Sequence, residues 1–263
     1  MPLQPLRIGI QGATGRMGTR LIRLIADDPG LALGAALVRA DHPRLGDDAG
    51  HVIGAGQLGV ALGTGWCGEV DVMVDFSTPD ATLGLAEECA GRGVPLVAGT
   101  TGFGPEQRRR LEAFADRTAI LLAPNTSRAV NLLFRLAKQA AEALGAAADV
   151  EIVERHHRFK KDAPSGTAIR LAEVVAEASG AGPTVHGRHG AVGERPPGEI
   201  GMHALRTGDN PGEHTVVFGL MGECLEITHR ALNRDGFALG ALDAARFLAG
   251  KPAGWYTMAD VLG

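Results

Sequence analysis

The feature that most constrains this chain lies close to its N-terminus. In Gly9-Ile10-Gln11-Gly12-Ala13-Thr14-Gly15-Arg16-Met17-Gly18 a glycine recurs at every third position. Residues 6–11 before the loop read as a buried strand. Residues 16–26 after it read as a helix, with Met17, Leu21, Leu24 and Ile25 on one face. Gly12 allows a tight turn, Gly15 lets backbone approach a pyrophosphate, and Gly18 lets helix pack closely on strand. The N-terminus of that helix then offers free N–H groups and a positive dipole end. The spacing is G-x-x-G-x-x-G rather than G-x-G-x-x-G. By itself it also fits a glycine-rich turn that holds nothing; the strand–loop–helix setting favours a dinucleotide.

The first half continues this alternation. Residues 31–38, 70–76, 94–98 and 119–122 read as strands. Residues 105–116 read as a helix, and Pro79 suits the first turn of another. Strands alternating with helices predict a doubly wound parallel α/β sheet. With aromatics at only 4%, its core must come from Ala, Val, Leu and Ile. After about residue 125 the pattern changes. Helices are expected over 129–144 and 167–178, strands over 150–155, 200–206, 214–220 and 224–229, and a long Gly/Pro-rich loop over 180–198. That clustering predicts a second, α+β region with a partly antiparallel sheet. A helix over 237–248 is expected to close the chain. The run Val216, Val217, Phe218 and Leu220 reads as too apolar for a lone exposed sheet, so this sheet is expected to bury a face against other subunits.

In such a sheet, ligands bind beyond the carboxyl ends of the strands. Two strand ends there carry small or hydroxyl-bearing residues that suit close approach to a flat ring. They are Gly99-Thr100-Thr101-Gly102 and Ala123-Pro124-Asn125-Thr126. Either is also an ordinary turn. The end of the second strand reads Leu37-Val38-Arg39, with no carboxylate nearer than Asp41. An arginine there accepts the 2′-phosphate of NADP, and Arg16 in the glycine loop is placed to help. Arg39 is equally readable as a solvated cation.

The densest chemistry lies in Glu154-Arg155-His156-His157-Arg158-Phe159-Lys160-Lys161-Asp162-Ala163-Pro164-Ser165-Gly166-Thr167. Cations and two histidines stand where a strand becomes a loop, and the segment ends at a helix start. The N–H groups of Gly166 and Thr167 and the nearby hydroxyls suit a carboxylate. Histidine supplies a proton near neutrality and lysine binds an anion. A charged surface loop with Ser165 as a helix cap is the other reading. Zinc is disfavoured, because adjacent histidines on a strand point opposite ways and no further ligand stands at the right spacing.

A net charge of −4 argues against a nucleic-acid partner. Cys67, Cys89 and Cys224 imply neither a disulfide framework nor a metal site. Residues 1–7 lack an apolar leader, and no stretch approaches a membrane span, so the expected location is the cytoplasm.

The chain resembles the 4-hydroxy-tetrahydrodipicolinate reductase (dihydrodipicolinate reductase) family. The matching residues are Gly12 to Gly18, Val74-Asp75-Phe76-Ser77, Gly99 to Gly102 and, most specifically, His156 to Ala168. The match resumes in Gly212-Glu213-His214-Thr215-Val216, in Glu226-Ile227-Thr228-His229-Arg230-Ala231 and in Phe237-Ala238-Leu239-Gly240-Ala241. The resemblance implies an NAD(P)H-dependent reductase of lysine and diaminopimelate biosynthesis. It implies a Rossmann domain over 1–127 and 236–263, with a substrate and tetramerisation domain over 128–235. Closure about Asn125 and Arg234 would bring cofactor and substrate together. By the same resemblance His156 is the proton donor and Lys160 its partner. His157, Lys160, Ser165, Gly166, Thr167 and Arg234 contact substrate carboxylates. Gly12, Ala13, Thr14, Gly15, Arg16, Met17, Arg39, Gly99, Thr100, Thr101, Ala123, Pro124, Asn125 and Thr126 contact the cofactor. The chain departs from the family at Asn125-Thr126-Ser127-Arg128-Ala129-Val130-Asn131, where Asn-Phe-Ser-x-Gly-Val-Asn is common. It departs again at Val38, where many members are acidic. The missing carboxylate and the presence of Arg39 predict NADPH in preference to NADH. A different small-substrate dehydrogenase, or a non-catalytic dinucleotide sensor, would share the glycine loop without needing the His156–Thr167 block.

Overall fold

A computed structural model describes residues 4–263. Residues 1–3, part of the segment read above as lacking a leader, lie outside the described residues. In chain order come β1 (Leu6–Gln11), α1 (Arg16–Asp27), β2 (Leu31–Leu37), α2 (Ala49–Ile53), β3 (Leu62–Gly63), β4 (Val72–Asp75), α3 (Pro79–Arg92), β5 (Leu96–Ala98), α4 (Pro105–Ala113) and β6 (Ala119–Leu122). Then follow α5 (Arg128–Leu144), β7 (Asp149–His156), α6 (Gly166–Ser179), β8 (Thr184–His186), β9 (Ile200–Arg206), β10 (Glu213–Leu220) and β11 (Glu223–Arg230). The chain ends in α7 (Asp235–Leu248), β12 (Gly254–Tyr256) and α8 (Met258–Leu262).

The chain divides into two units. One comprises the described part of residues 1–128 together with Asp235–Gly263; the other is Ala129–Arg234. The first is built on a seven-stranded parallel sheet in the order β12-β6-β5-β4-β1-β2-β3. Side chains alternate between its faces, as the pleat requires. Ile8, Ile10, Val72, Val74, Val97 and Leu121 pack under α1, α7 and α8. Leu37, Met73, Leu96, Ala98 and Ile120 pack under α3 and α4. Both faces are therefore covered, which is why the strands read as short continuous apolar runs. Helix α7 presents Ala238, Ala241, Ala244 and Ala245 to the sheet, so it lies close with little side chain between.

The second unit holds a mixed five-stranded sheet in the order β11-β10-β7-β9-β8. β10 is antiparallel to both neighbours, and β9 is parallel to β7 and β8. One face packs under α5 and α6 through Leu133, Ala137, Leu171, Val175, Ile152, Met202, Val216 and Phe218.

Three expectations need correction. The helix α7 does not close the chain; β12 and α8 follow, and β12 adds an edge strand beside β6. The expected loop over 180–198 contains β8. The run Val216 to Leu220 is not one apolar face: Val216 and Phe218 are buried beneath the helices, whereas Val217 alternates to the other side and is only half-buried. On that other face, Glu151 of β7 takes hydrogen bonds from Arg188, Arg195 and His203.

Phe218 is among the largest fully buried side chains. We expect Phe218→Ala to cost the second unit about 3–5 kcal/mol. Native-state hydrogen exchange should show faster exchange confined to amides of residues 129–234; equal loosening in both units would contradict this division.

Candidate active site

In the first unit, the glycine loop is shaped from within. Gly12 has a left-handed backbone, φ +77°, and its N–H and that of Ala13 both donate to Leu37 O at 3.1 Å. The Gly15 N–H donates to Gly12 O at 2.9 Å. A Cβ on Gly18 would overlap Gly12 O and the Ala13 carbonyl, so only glycine lets α1 start this close to the turn. Gly15 is the N-cap and supplies no side-chain cap, and the first turn carries no acidic residue. With the Gly12, Ala13 and Gly15 amides occupied, the donors offered to an anion include the first-turn N–H groups of Arg16, Met17 and Gly18. This cradle fits a pyrophosphate.

The segment after β2 folds back on the same loop. His42 Nδ1 accepts from the Arg44 N–H at 3.2 Å, which leaves the ring proton on Nε2, 3.0 Å from Thr14 Oγ1. Arg39 and Asp41 form an exposed ion pair, Nε to Oδ1 2.9 Å. Arg16 is exposed.

The ends of β4 and β5 are tied by a buried carboxylate. Asp75 Oδ2 accepts from the hydroxyls of Thr82 and Thr100, the latter at 2.8 Å. Thr100 Oγ1 in turn accepts from the Ser77 N–H at 3.0 Å, and Gln11 Nε2 donates to Ser77 Oγ at 3.2 Å. Burial pushes the Asp75 carboxyl upward against these donors. Thr101 and Pro124 are exposed and Asn125 half-buried, whereas Gly99 and Ala123 are buried. Thr126 is buried too, and its hydroxyl donates to Phe237 O at 2.6 Å, tying this turn to α7.

In the second unit, β7 ends on a buried cluster. Strand alternation puts Glu154 and His156 on the helix-covered face. Glu154 is fully buried. Its Oε2 lies 2.6 Å from His156 Nδ1, and Arg206 of β9 donates to both carboxylate oxygens at 2.8 Å each. The Ser165 N–H reaches Oε1 at 3.1 Å. Burial alone would raise this carboxyl, but Arg206 and His156 outweigh it and hold it below the ordinary value. Ser165 caps α6: its Oγ accepts from the Ala168 N–H at 3.2 Å and meets His214 Nε2 at 2.9 Å. Gly166 and Thr167 then form an α6 first turn without acidic residues. The His156 and His214 rings meet edge to face, centroids 5.2 Å apart. Burial pushes His214 down to about 3, helped by the charge of His156, so it is neutral at physiological pH. Burial also lowers His156, against the pull of Glu154. Lys160 is half-buried and pairs with Asp162 at 2.9 Å. His157 is half-buried on the opposite side of the strand end, with its Nδ1 unpartnered. Arg234 is exposed in the segment between β11 and α7.

The structure thus gathers His156, Ser165 and the start of α6, and adds Glu154, Arg206 and His214, to which residue type alone gave no role. The i, i+2 spacing of Glu154 and His156 on a strand was the available signal for the first. Among the described residues no cluster suits a metal ion, and no helix is long and apolar enough to cross a membrane.

Family models cover nearly the whole chain: "Dihydrodipicolinate reductase, N-terminus" matches residues 6–126 and "Dihydrodipicolinate reductase, C-terminus" matches residues 129–262. The chain belongs to the dihydrodipicolinate reductase family. Relatives named 4-hydroxy-tetrahydrodipicolinate reductase bear this out. The one from Anaeromyxobacter dehalogenans is 50% identical over 98% of this chain and 97% of its own length. The one from Syntrophotalea carbinolica is 49% identical over 98% and 99%. The solved dipicolinate-bound dihydrodipicolinate reductase of Paenisporosarcina sp. TG-14 superposes with a TM-score of 0.78, at 25% identity, over 97% of this chain and 98% of that one. Within the dihydrodipicolinate reductase family the N-terminal half is the nicotinamide-cofactor domain, and the glycine cradle described above fits that role.

Proposed function

We propose that the chain reduces 4-hydroxy-tetrahydrodipicolinate to tetrahydrodipicolinate in lysine and diaminopimelate biosynthesis, with His156 as proton donor. The observation that carries this assignment is the buried His156, on which the Lys160 charge acts, in one cluster with Ser165, the N-cap of an α6 whose first turn carries no acidic residue. When bound, the nicotinamide supplies a hydride to the substrate ring. The residues of this chain have the remaining tasks. Lys160 and the N–H groups of Gly166 and Thr167 neutralise a substrate carboxylate, with His157, the Ser165 hydroxyl and Arg234 as further contacts. His156 delivers the balancing proton to the electron-rich side of the ring. A positioned acid of this kind contributes about 10²–10⁴ in rate. The dinucleotide belongs to Gly12–Met17, Arg39, Gly99–Thr101 and Ala123–Thr126.

A dehydrogenase for another small substrate, or a dinucleotide sensor, has no use for this cluster. Accordingly, His156→Gln should lower turnover by about 10²-fold, and Lys160→Ala should weaken both turnover and substrate binding. Cofactor affinity should change little in either. Steady-state kinetics with freshly prepared 4-hydroxy-tetrahydrodipicolinate checks this; near-full turnover in folded His156→Gln would end the assignment.

The same reading favours NADPH over NADH. Val38 brings no carboxylate to repel a 2′-phosphate, and Arg39 stands beside it. Arg39 now holds Asp41, but an exposed pair is worth only about 0–1 kcal/mol. A dianionic phosphate competes for the guanidinium with stronger charge-assisted bonds. We expect NADPH to bind about tenfold more tightly, about 1.4 kcal/mol, with Arg39→Ala removing the difference. Calorimetric titration of both cofactors decides; equal affinities in the unaltered protein would show that Arg39 is a solvated cation.

A homotetramer is part of the proposal. It is supported by the half-buried Val153 and Val217 on the sheet face that α5 and α6 leave uncovered. Light scattering at micromolar concentration should give four times the chain mass of 27.3 kDa; a stable monomer would refute it.

A further inference from the structure

His156 has its two ring nitrogens in different settings. Nδ1 faces Glu154, whose four acceptor positions are all engaged: Oε2 by His156 Nδ1 and Arg206 Nη1, Oε1 by Arg206 Nη2 and the Ser165 N–H. A guanidinium does not give up its charge, and a backbone N–H cannot accept. The carboxylate so held stays ionised, and His156 Nδ1 must therefore be the donor. Nε2 points elsewhere, towards Gly212, where an added Cβ would stand only 3.0 Å from it. Arg206 also reaches Asp162 O at 2.6 Å, so the group that clamps Glu154 anchors the segment leading to α6 as well.

We propose that Glu154, clamped by Arg206, is a positioning residue for the reaction: it fixes His156 as the Nδ1–H form, makes Nε2 the atom that hands over the proton, and keeps the ring able to carry that proton in a buried site. The inference rests on His156 being the proton donor. In the step, the Nε2–H bond of the imidazolium breaks and its electron pair stays on nitrogen. The proton passes to the substrate ring as the reduced dinucleotide supplies the hydride. The ring is left neutral with Nδ1–H still on Glu154. No ring flip and no change in Glu154 are needed.

Charge bookkeeping around the ring gives the test its sign. Burial opposes the imidazolium, and so do Lys160 of the following loop and Arg206 of β9. His214 of β10 is neutral, and His229 of β11, stacked on it, is itself lowered by burial. Asp162 is occupied by Lys160. Of these groups, Glu154 is the one that favours the charged ring. The charged form is the competent one, so activity falls as pH rises through the His156 pKa. Removing the Glu154 charge moves that fall to lower pH, and removing the Arg206 charge moves it to higher pH.

The experiment is the pH profile of kcat/KM for the full-length protein and for Glu154→Gln and Arg206→Met, with cofactor affinity and melting temperature measured alongside. We expect the alkaline limb of Glu154→Gln to shift acidward by about one pH unit or more, that of Arg206→Met to shift the other way, and cofactor affinity to hold. A purely structural role would lower kcat without moving the limb, and an unmoved limb overturns the proposal. If Glu154→Gln does not fold, ¹⁵N NMR of the His156 ring in the unaltered protein decides. At alkaline pH it should carry its proton on Nδ1, and an Nε2–H ring overturns the proposal. Full turnover by His156→Gln would instead overturn the assignment of the proton donor, so the two failures are distinguishable.

Discussion

The second unit depends on one buried carboxylate. Glu154 joins three elements that sequence keeps apart: its own strand β7, the parallel neighbour β9 through Arg206, and the start of α6 through the Ser165 N–H. A buried ion pair gains little over a well-packed apolar substitute, yet removing one partner leaves an uncompensated charge and costs about 3–5 kcal/mol. The arrangement is thus poor as glue and good as a register. It fixes where the β7 end, the polar loop and the helix start stand relative to one another, and those are the parts that carry His156, Lys160 and the anion donors.

The first unit is governed by closeness rather than charge. Gly18 lets α1 approach the turn at Gly12, and the alanines of α7 let a helix lie low on the sheet. A core with few aromatics works here because the layers are thin and the sheet supplies Ile, Val and Leu to both sides. The resulting crevice is lined by backbone and small hydroxyls, with Asp75 holding the loops after β4 and β5 through Thr100 and Ser77.

What the sequence made legible was local. The glycine spacing states its own requirements, because left-handed backbone and missing Cβ volume are properties of single positions. The apolar runs of β1, β4 and β6 are long enough to show. By contrast β8 and β12 have three residues each and, unlike the equally short β5, no aliphatic run to mark them. The run Val216 to Leu220 misled because contiguous apolar residues on a strand divide between two faces. The clamp on Glu154 was invisible because Arg206 lies 52 residues further along. The same holds for Thr126, whose hydroxyl finds Phe237 O across 111 residues.

The return of α7 and β12 to the first sheet sets an order of events during synthesis. Residues 129–234 form a contiguous stretch that holds all of its own core, and it can condense as soon as it clears the ribosome. The first unit has no such freedom: the face of its sheet that α7 covers stays bare until residues 235–263 emerge. At about 5–20 residues per second, the part of the first unit made before residue 129 waits several seconds for residues 235–263. The half made first is the half finished last, and while it waits its exposed Ile, Val and Leu surface is a natural client for chaperones.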